Sequence, residues 1–246
     1  MTQRNNPAWA LKIQERNRRR RAKASPSASL LQNLISHWRL DELSGDRYDA
    51  HGTNHLADTT SVPSVLGKLG NAADFDGDTN YLTCASNASL QAGDFDCCFA
   101  AWVYLRSDIS LEQNHHFIGK WDAAEFDLAF KASATGCFAL DYGSGSVDAV
   151  TFGAPDLDNW FFVVAWHDSV GDELGIQINN GAVDVVSYGD GASPSEGAFC
   201  LGTLIEAAGR ADVYLDSVSY WKRTLSAGER SRLWNNGAGL DYANFA

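Results

Sequence analysis

From Leu34 onward the chain is a succession of short apolar runs, each closed by Gly, Asp or Asn. Strands are expected near Leu34–Leu40, Ala72–Phe75, Tyr81–Cys84, Phe95–Arg106, His116–Trp121, Phe126–Lys131, Cys137–Asp141, Ala149–Phe152, Trp160–Trp166, Leu174–Asn179, Val183–Ser187, Phe199–Leu201 and Asp212–Trp221. Many short strands at this spacing indicate an antiparallel sandwich or barrel. Phe95–Leu105 is apolar at both alternating sets of positions, with Phe95, Cys97, Phe99, Ala101 and Val103 on one face and Cys98, Ala100, Trp102 and Tyr104 on the other. Such a strand lies at the centre of a sheet, with its second face either covered or lining a concave ligand face. The one convincing helix of this region is Ser226–Asn235, with Ser226 as cap, Glu229 as its capping-box partner and Gly237 beyond the end.

The first 33 residues read differently. Residues 1–23 hold Arg4, Lys12, Arg16, Arg18, Arg19, Arg20, Arg21 and Lys23 against one acid, Glu15, a net of +7. The whole chain is −12, which leaves −19 on the remainder. A basic arm is thus joined to an acidic body, a split that points to the arm docking on something the body does not. Asn6-Pro7 starts a helix that runs through Ala8–Lys23 for roughly 25 Å. Trp9 and Ile13 lie one turn apart on it, and Arg18–Arg21 surround it. Ala24–Ser29 reads as a linker, so the expected organisation is an arm and linker over 1–33 and one domain over 34–246.

Composition narrows the function classes. With 246 residues, 45% apolar and 20% charged, the chain is ordinary globular material, large enough for a full core. No window approaches 18 uninterrupted apolar residues, so no membrane-spanning helix is expected. Ala22–Ile35 is broken by polar residues, which argues against a secretory signal, although an Arg- and Ser-rich start also resembles an organelle transit peptide. Cys84, Cys97, Cys98, Cys137 and Cys200 are odd in number and lack zinc spacing. They read as small hydrophobes in a reduced interior, in keeping with assembly in a cytoplasm.

A set of landmarks then stands in order. His37-Trp38-Arg39-Leu40-Asp41-Glu42 with Ser44-Gly45 opens it. Gly67-Lys68-Leu69-Gly70-Asn71-Ala72 leads to Phe75-Asp76-Gly77 and Tyr81-Leu82, and Gly93-Asp94-Phe95 leads to Ala101-Trp102-Val103. Asn159-Trp160 opens a strand ending at His167-Asp168, Asn179-Asn180-Gly181 is a hairpin turn of the Asn-Gly kind, and Asp216–Trp221 with Leu225-Ser226 and Glu229 closes it. Over about Leu34–Tyr242 this series resembles the concanavalin A-like lectin/glucanase superfamily, and within it the laminin-G-like group. The resemblance implies an all-β fold, an antiparallel β-sandwich of jelly-roll type, here with a basic helical N-terminal arm and one short C-terminal helix. It also implies that Trp38, Trp102, Trp160 and Trp221 are buried. The superfamily hosts lectins, glycosidases, adhesion modules and virion proteins, so the activity must be read from the site.

Four site chemistries come into question. Glu125-Phe126-Asp127-Leu128-Ala129-Phe130 resembles the glucanase Glu-x-Asp-x-x-Glu strand, but Phe130 replaces the second Glu. Hydrolysis needs two carboxylates, so Glu125 and Asp127 read as two solvated acids on one outer strand face. The resemblance implies one structural Ca²⁺, with Asp76, Asp78 and Asp216 matching acids of the family pattern and Asp41 a weaker candidate; oxygen ligands suit that ion, and turn-forming Asp is the alternative. Glycan binding needs exposed aromatics, and Trp121, Tyr142 and Tyr188 lie beside Gly/Asp-rich loops. His115, His116 and His167 read as surface or strand-end residues rather than ligands. Arg18–Arg21 make a phosphate-binding patch for nucleic acid, opposed by the charge of the body, whereas Trp9 and Ile13 favour a protein surface.

The expectation is a non-enzymatic structural protein. It is a lectin-like sandwich tied by its arm to a capsid-like scaffold or to neighbouring copies, as in a bacteriophage capsid decoration or tail-associated virion protein. A free Ca²⁺-dependent carbohydrate-binding lectin is the alternative, and a glycoside hydrolase stands third.

Overall fold

The computed structural model describes residues 29–122, 125–205 and 208–246. The basic arm, and with it the anchoring roles expected of Trp9, Ile13 and Arg18–Arg21, lies outside the described residues.

Two antiparallel sheets face each other. The larger contains β1 (Leu34–Trp38), β2 (Ser64–Leu66), β3 (Asn71–Asp76), β5 (Cys97–Leu105), β10 (Asn159–Asp168), β11 (Glu173–Ile178), β12 (Val183–Ser187) and β16 (Asp212–Trp221). Its order is β12-β11-β10-β5-β16-β3-β2, with β1 also paired to β16. The smaller contains β4 (Leu82–Cys84), β6 (His115–Lys120), β7 (Phe126–Phe130), β8 (Phe138–Tyr142), β9 (Gly145–Asp148) and β13 (Phe199–Leu201), in the order β4-β13-β6-β7-β8-β9. A separate hairpin pairs β14 (Thr203–Ile205) with β15 (Ala208–Arg210).

Strand alternation builds the core. Phe99, Ala101 and Val103 of β5 face Phe126, Leu128, Phe138 and Leu140 of the smaller sheet. Phe99 stacks on Tyr220 at 4.8 Å and meets Phe126 at 4.6 Å, and Trp38 stacks on Phe199 at 4.9 Å. The other face of β5 is covered as well. Cys98, Ala100 and Trp102 join Phe162, Val164, Trp166, Leu30, Leu34 and Trp221 in a second apolar layer. Cys97 and Cys98 therefore serve opposite faces, and all five cysteines are free thiols.

That second layer is roofed by the C-terminal helix α1 (Ala227–Trp234) and the tail behind it. Ser226 and Glu229 form the expected capping box. The helix ends on Asn235, which takes the left-handed conformation (φ 47°) ahead of the anticipated Gly237. Trp234 stacks on Trp102 at 5.3 Å and Phe245 lies over Trp221. The Leu30 N–H donates to the Phe245 carbonyl at 3.0 Å, and the Trp221 indole donates to the Leu30 carbonyl at 2.7 Å. Leu30 is fully buried by these contacts, so the packed body begins four residues before Leu34.

Other boundaries move for local reasons. Residues 149–152 are a turn; the strand is β9, because Gly143-Ser144 makes a two-residue hairpin and Tyr142 pairs with Gly145. Val150 and Phe152 consequently stand exposed. In the 178–181 turn the Gly181 N–H donates to the Ile178 carbonyl at 2.8 Å, and Asn179 and Asn180 both take positive φ. The central pair of this primed turn is thus Asn-Asn, one position earlier than the Asn-Gly reading.

Candidate functional site

The outer face of the six-stranded sheet carries a continuous polar row. Phe126, Leu128 and Phe130 point into the core, so Asp127 and Ala129 point outward. Register sets Asp127 opposite Gly119 of β6 and Asp141 of β8, and Ala129 opposite His116 and Ala139. His116 Nδ1 lies 2.6 Å from Asp127 Oδ2. Lys131 Nζ donates to Asp141 at 2.8 Å, to Ser146 Oγ at 3.0 Å and to Asp148 at 3.5 Å. Four strands thereby present His116, Asp127, Asp141, Lys131 and Asp148 as a polar row across a floor of small residues.

One end of the row is covered. A Cβ at position 119 would stand 2.5 Å from the Leu204 carbonyl oxygen and 2.7 Å from that of Thr203, so only glycine lets the β14–β15 hairpin settle on β6. Beneath it Asp127 is 1% exposed, and its Oδ1 has no hydrogen-bond partner among the described residues. Burial pushes the Asp127 carboxyl upward, and the bond from His116 opposes the shift. Asp127 and Asp141 are the two facing carboxylates that hydrolysis would require, yet the first is shut away from solvent and bound to His116, and the second is neutralised by Lys131. The row is built to offer fixed donors and acceptors at its open end, near Lys131.

Glu125 and Asp127 do not act as two solvated acids on one face; both are buried. Glu125 precedes β7 and turns inward, where its carboxylate meets Lys120 Nζ, the Ser195 hydroxyl at 2.9 Å and the Ala92 N–H at 3.1 Å. Lys120 also donates to the Ser195 carbonyl at 2.7 Å. This closed cluster ties the loops around Ala92 and Ser195 to the sheet end.

The expected sugar-stacking residues separate. Trp121 is half-buried in the turn after β6. Tyr142 is fully buried, its ring 4.7 Å from that of His167 and its hydroxyl donating to the Gly93 carbonyl at 2.7 Å. Tyr188 packs edge-on to Tyr142 and against the backbone of Gly145, and its hydroxyl accepts from the Ser144 N–H at 3.2 Å. Neither tyrosine ring is open to a sugar. His115 opens β6 and His167 is the penultimate residue of β10, strand ends as expected, and both are buried rather than at the surface. Trp38, Trp102 and Trp221 are buried as implied, whereas Trp160 is only half-buried.

The expected calcium ligands do not converge. Asp76 Oδ1 accepts N–H groups of Asp78, Thr79 and Asn80, and Oδ2 accepts the Thr79 hydroxyl. Burial acts to raise this carboxyl, but those four bonds outweigh it and hold it well below the usual range. It is a turn cap with both oxygens engaged. Asp78 is exposed beside it. Asp76 pairs with Asp212, and Asp216 lies four residues further along β16, about 13 Å away at strand rise. Asp216 accepts the Leu69 N–H at 2.7 Å and the Ser217 hydroxyl at 2.9 Å, and Asp41 accepts the Asn71 N–H at 2.9 Å. Burial, opposed by those two bonds and one from the Lys68 N–H, pushes Asp216 up to about 7. These acids do not fit one shared ion, and no group of three or more His, Cys, Asp and Glu side chains among the described residues is arranged to hold a metal.

Lys120, Lys131 and Asp141 were not anticipated. Their signal was present for Lys131 and Asp141, which fall on the outward positions of neighbouring strands; Lys120 falls on an inward position, where its partner loop is invisible to sequence.

Similarity to known proteins follows the fold. No curated protein sequence matches the chain. Among solved structures it is similar to the binding domain of Paraclostridial Mosquitocidal Protein 1, with a TM-score of 0.68 and 14% identity over 85% of this chain and 53% of that one. The receptor binding domain of botulinum neurotoxin D gives 0.63 and 11% over 85% and 54%. Trypanosoma rangeli sialidase gives 0.62 and 13% over 89% and 35%. The chain spans about half the length of the two toxin domains and a third of the sialidase, and at these identities the likeness is one of fold. A family model matches residues 76–229, more than half of the sequence, and this chain belongs to the concanavalin A-like lectin/glucanases superfamily.

Proposed function

We propose that this chain is a non-enzymatic, lectin-like display module, held to a larger assembly by its basic N-terminal arm. The observation that carries the reading is the placement of Ser29–Leu34. Here the chain enters the body on the outer side of the eight-stranded sheet, bonded to Phe245 of the tail behind α1 and to Trp221. The polar row of the six-stranded sheet lies on the opposite side. A body tethered on one broad side and polar on the other suits attachment to a scaffold with an outward recognition surface. The charge split supplies the attachment, since an arm of +7 adds little to folding a body of −19 but much to docking. A bacteriophage capsid or tail is the kind of particle this reading favours, with a protein scaffold or neighbouring copies as partner.

Deleting residues 1–28 tests it. Loss of co-sedimentation with the assembled particle, with the body still folded, is the expected outcome; unchanged incorporation overturns the reading. The carbohydrate-binding alternative draws on the open end of the row at Lys131, Ser146 and Asp148 and on the toxin binding domains of like fold. It would show as glycan affinity that Lys131→Ala removes.

A further inference from the structure

The outer face of the eight-stranded sheet is roofed over only part of its length. Trp102 and Phe162 are buried against Trp234, but two residues further along each strand the cover ends. There Trp160 of β10, Tyr104 of β5 and Tyr214 of β16 stand directly opposite one another on three neighbouring strands, all half-buried. The Tyr104 and Tyr214 rings stack at 5.1 Å with an interplanar angle of 11°, and Trp160 tilts against Tyr104 at 5.5 Å. Arg106 closes the ladder, its guanidinium 4.6 Å from the Tyr214 ring centre. Acids surround it. Arg106 is shared between Asp74 and Asp212, the Tyr104 hydroxyl donates to Asp158 at 2.6 Å, and Asp76 lies opposite Asp212.

A strip of Trp, Tyr and Arg rimmed by excess negative charge has the composition of a protein-binding hot spot. It is a poor sugar platform, because the stacked rings cover one another's faces and present their edges. We infer that this ladder is the seat for the basic arm of a neighbouring copy. Trp9 and Ile13 supply apolar anchors, and the arginines of the arm suit both the aromatic rings and Asp74, Asp158 and Asp212. The chain's own arm would have to pass around the roof to reach the ladder. It enters the body beside Trp221, seven residues from Tyr214 along β16, or about 23 Å, and α1 with the tail covers the ground between. This inference rests on the anchoring role of the arm proposed above.

Sedimentation of the full chain, wild type and variants, at low and at 0.5 M salt is the test, joined to zero-length carbodiimide cross-linking of a mixture of isotopically labelled and unlabelled copies. The expected result is salt-sensitive self-association, weakened at least tenfold by Trp160→Ser with Tyr214→Ser and by replacing Arg18–Arg21 with Ala, and less by Asp158→Asn, which keeps the left-handed backbone there (φ 65°). Cross-links from Lys12 or Lys23 to Asp158 should join labelled to unlabelled chains. Three results would overturn the inference: ladder variants that associate like wild type while arm deletion dissociates the copies, cross-links confined within single copies, or glycan binding that depends on Trp160 and ignores the arm. The first of these leaves the anchoring role standing, whereas arm deletion without effect on assembly removes both.

Discussion

Glu125 and Asp216 are both carboxylates sealed inside the body, and their surroundings are opposite. Around Glu125 the fold brings a full cation, Lys120, together with a hydroxyl and an N–H, so the charge is balanced where it is buried. Around Asp216, in the bulge of β16, it brings neutral donors, the Leu69 and Lys68 N–H groups and the Ser217 hydroxyl, with Asp41 adding negative charge nearby. The first arrangement depends on keeping charge and the second on discharging it. Neither resembles a site of turnover: one is a clamp between loops, the other a fixture for the turn at 67–71.

The sharpest way to break the contrast is to remove the cation. Lys120→Met leaves the Glu125 carboxyl buried without its cation, and the expected loss is about 3–5 kcal/mol. Against a total of about 5–15 kcal/mol for a domain, that is a large shift in the urea midpoint. Adding Glu125→Leu should recover part of it. A single variant within about 1 kcal/mol of wild type would show that the cluster is not the clamp its geometry describes.

Asp216 should respond in the opposite sense. Its folded-state value of about 7 lies above the ordinary 3.8, so the native state binds the proton more tightly than the unfolded chain. Stability from this group is fully present below about pH 4 and is lost as pH rises toward and through 7. Asp216→Asn keeps an acceptor for Leu69 and offers a donor to Ser217, but never ionises. It should therefore gain on wild type steadily between pH 4 and pH 8, by on the order of 3 kcal/mol at the top of the range. Melting temperatures across that range measure the difference, and parallel curves would refute the assignment.

How far these features were legible follows from what each depends on. The double-faced strand β5, the capping box at Ser226 and the central strands were readable because they rest on local alternation or spacing. The faces of Tyr142 and Tyr188 were not, since nearby Gly and Asp mark a rim equally well when a ring points inward. Asp76 and Asp216 were read together for a similar reason: both match a pattern along the chain, but Asp76 ends β3 opposite Asp212, four residues along β16 from Asp216. Trp160 carried the reverse error, reading as core when the roof stops at Trp102. Each miss concerns what covers a residue, which is decided by segments distant in sequence.

The finest test lies between the two extremes. Asp127 has a histidine partner instead of a lysine, and one of its oxygens has none among the described residues. Asp127→Asn exchanges a charge-assisted bond for a neutral one, a loss of about 1 kcal/mol. It also removes the cost of holding a carboxylate under the β14–β15 hairpin, which burial has already pushed upward. The two effects oppose, so the net change in unfolding free energy at pH 7 should stay within about 1 kcal/mol, where the same amide exchange at Glu125 breaks a lysine pair and costs more. If the two exchanges prove equally damaging, Asp127 depends on its charge as Glu125 does, and the His116 bond holds that charge under the hairpin as firmly as Lys120 holds the other.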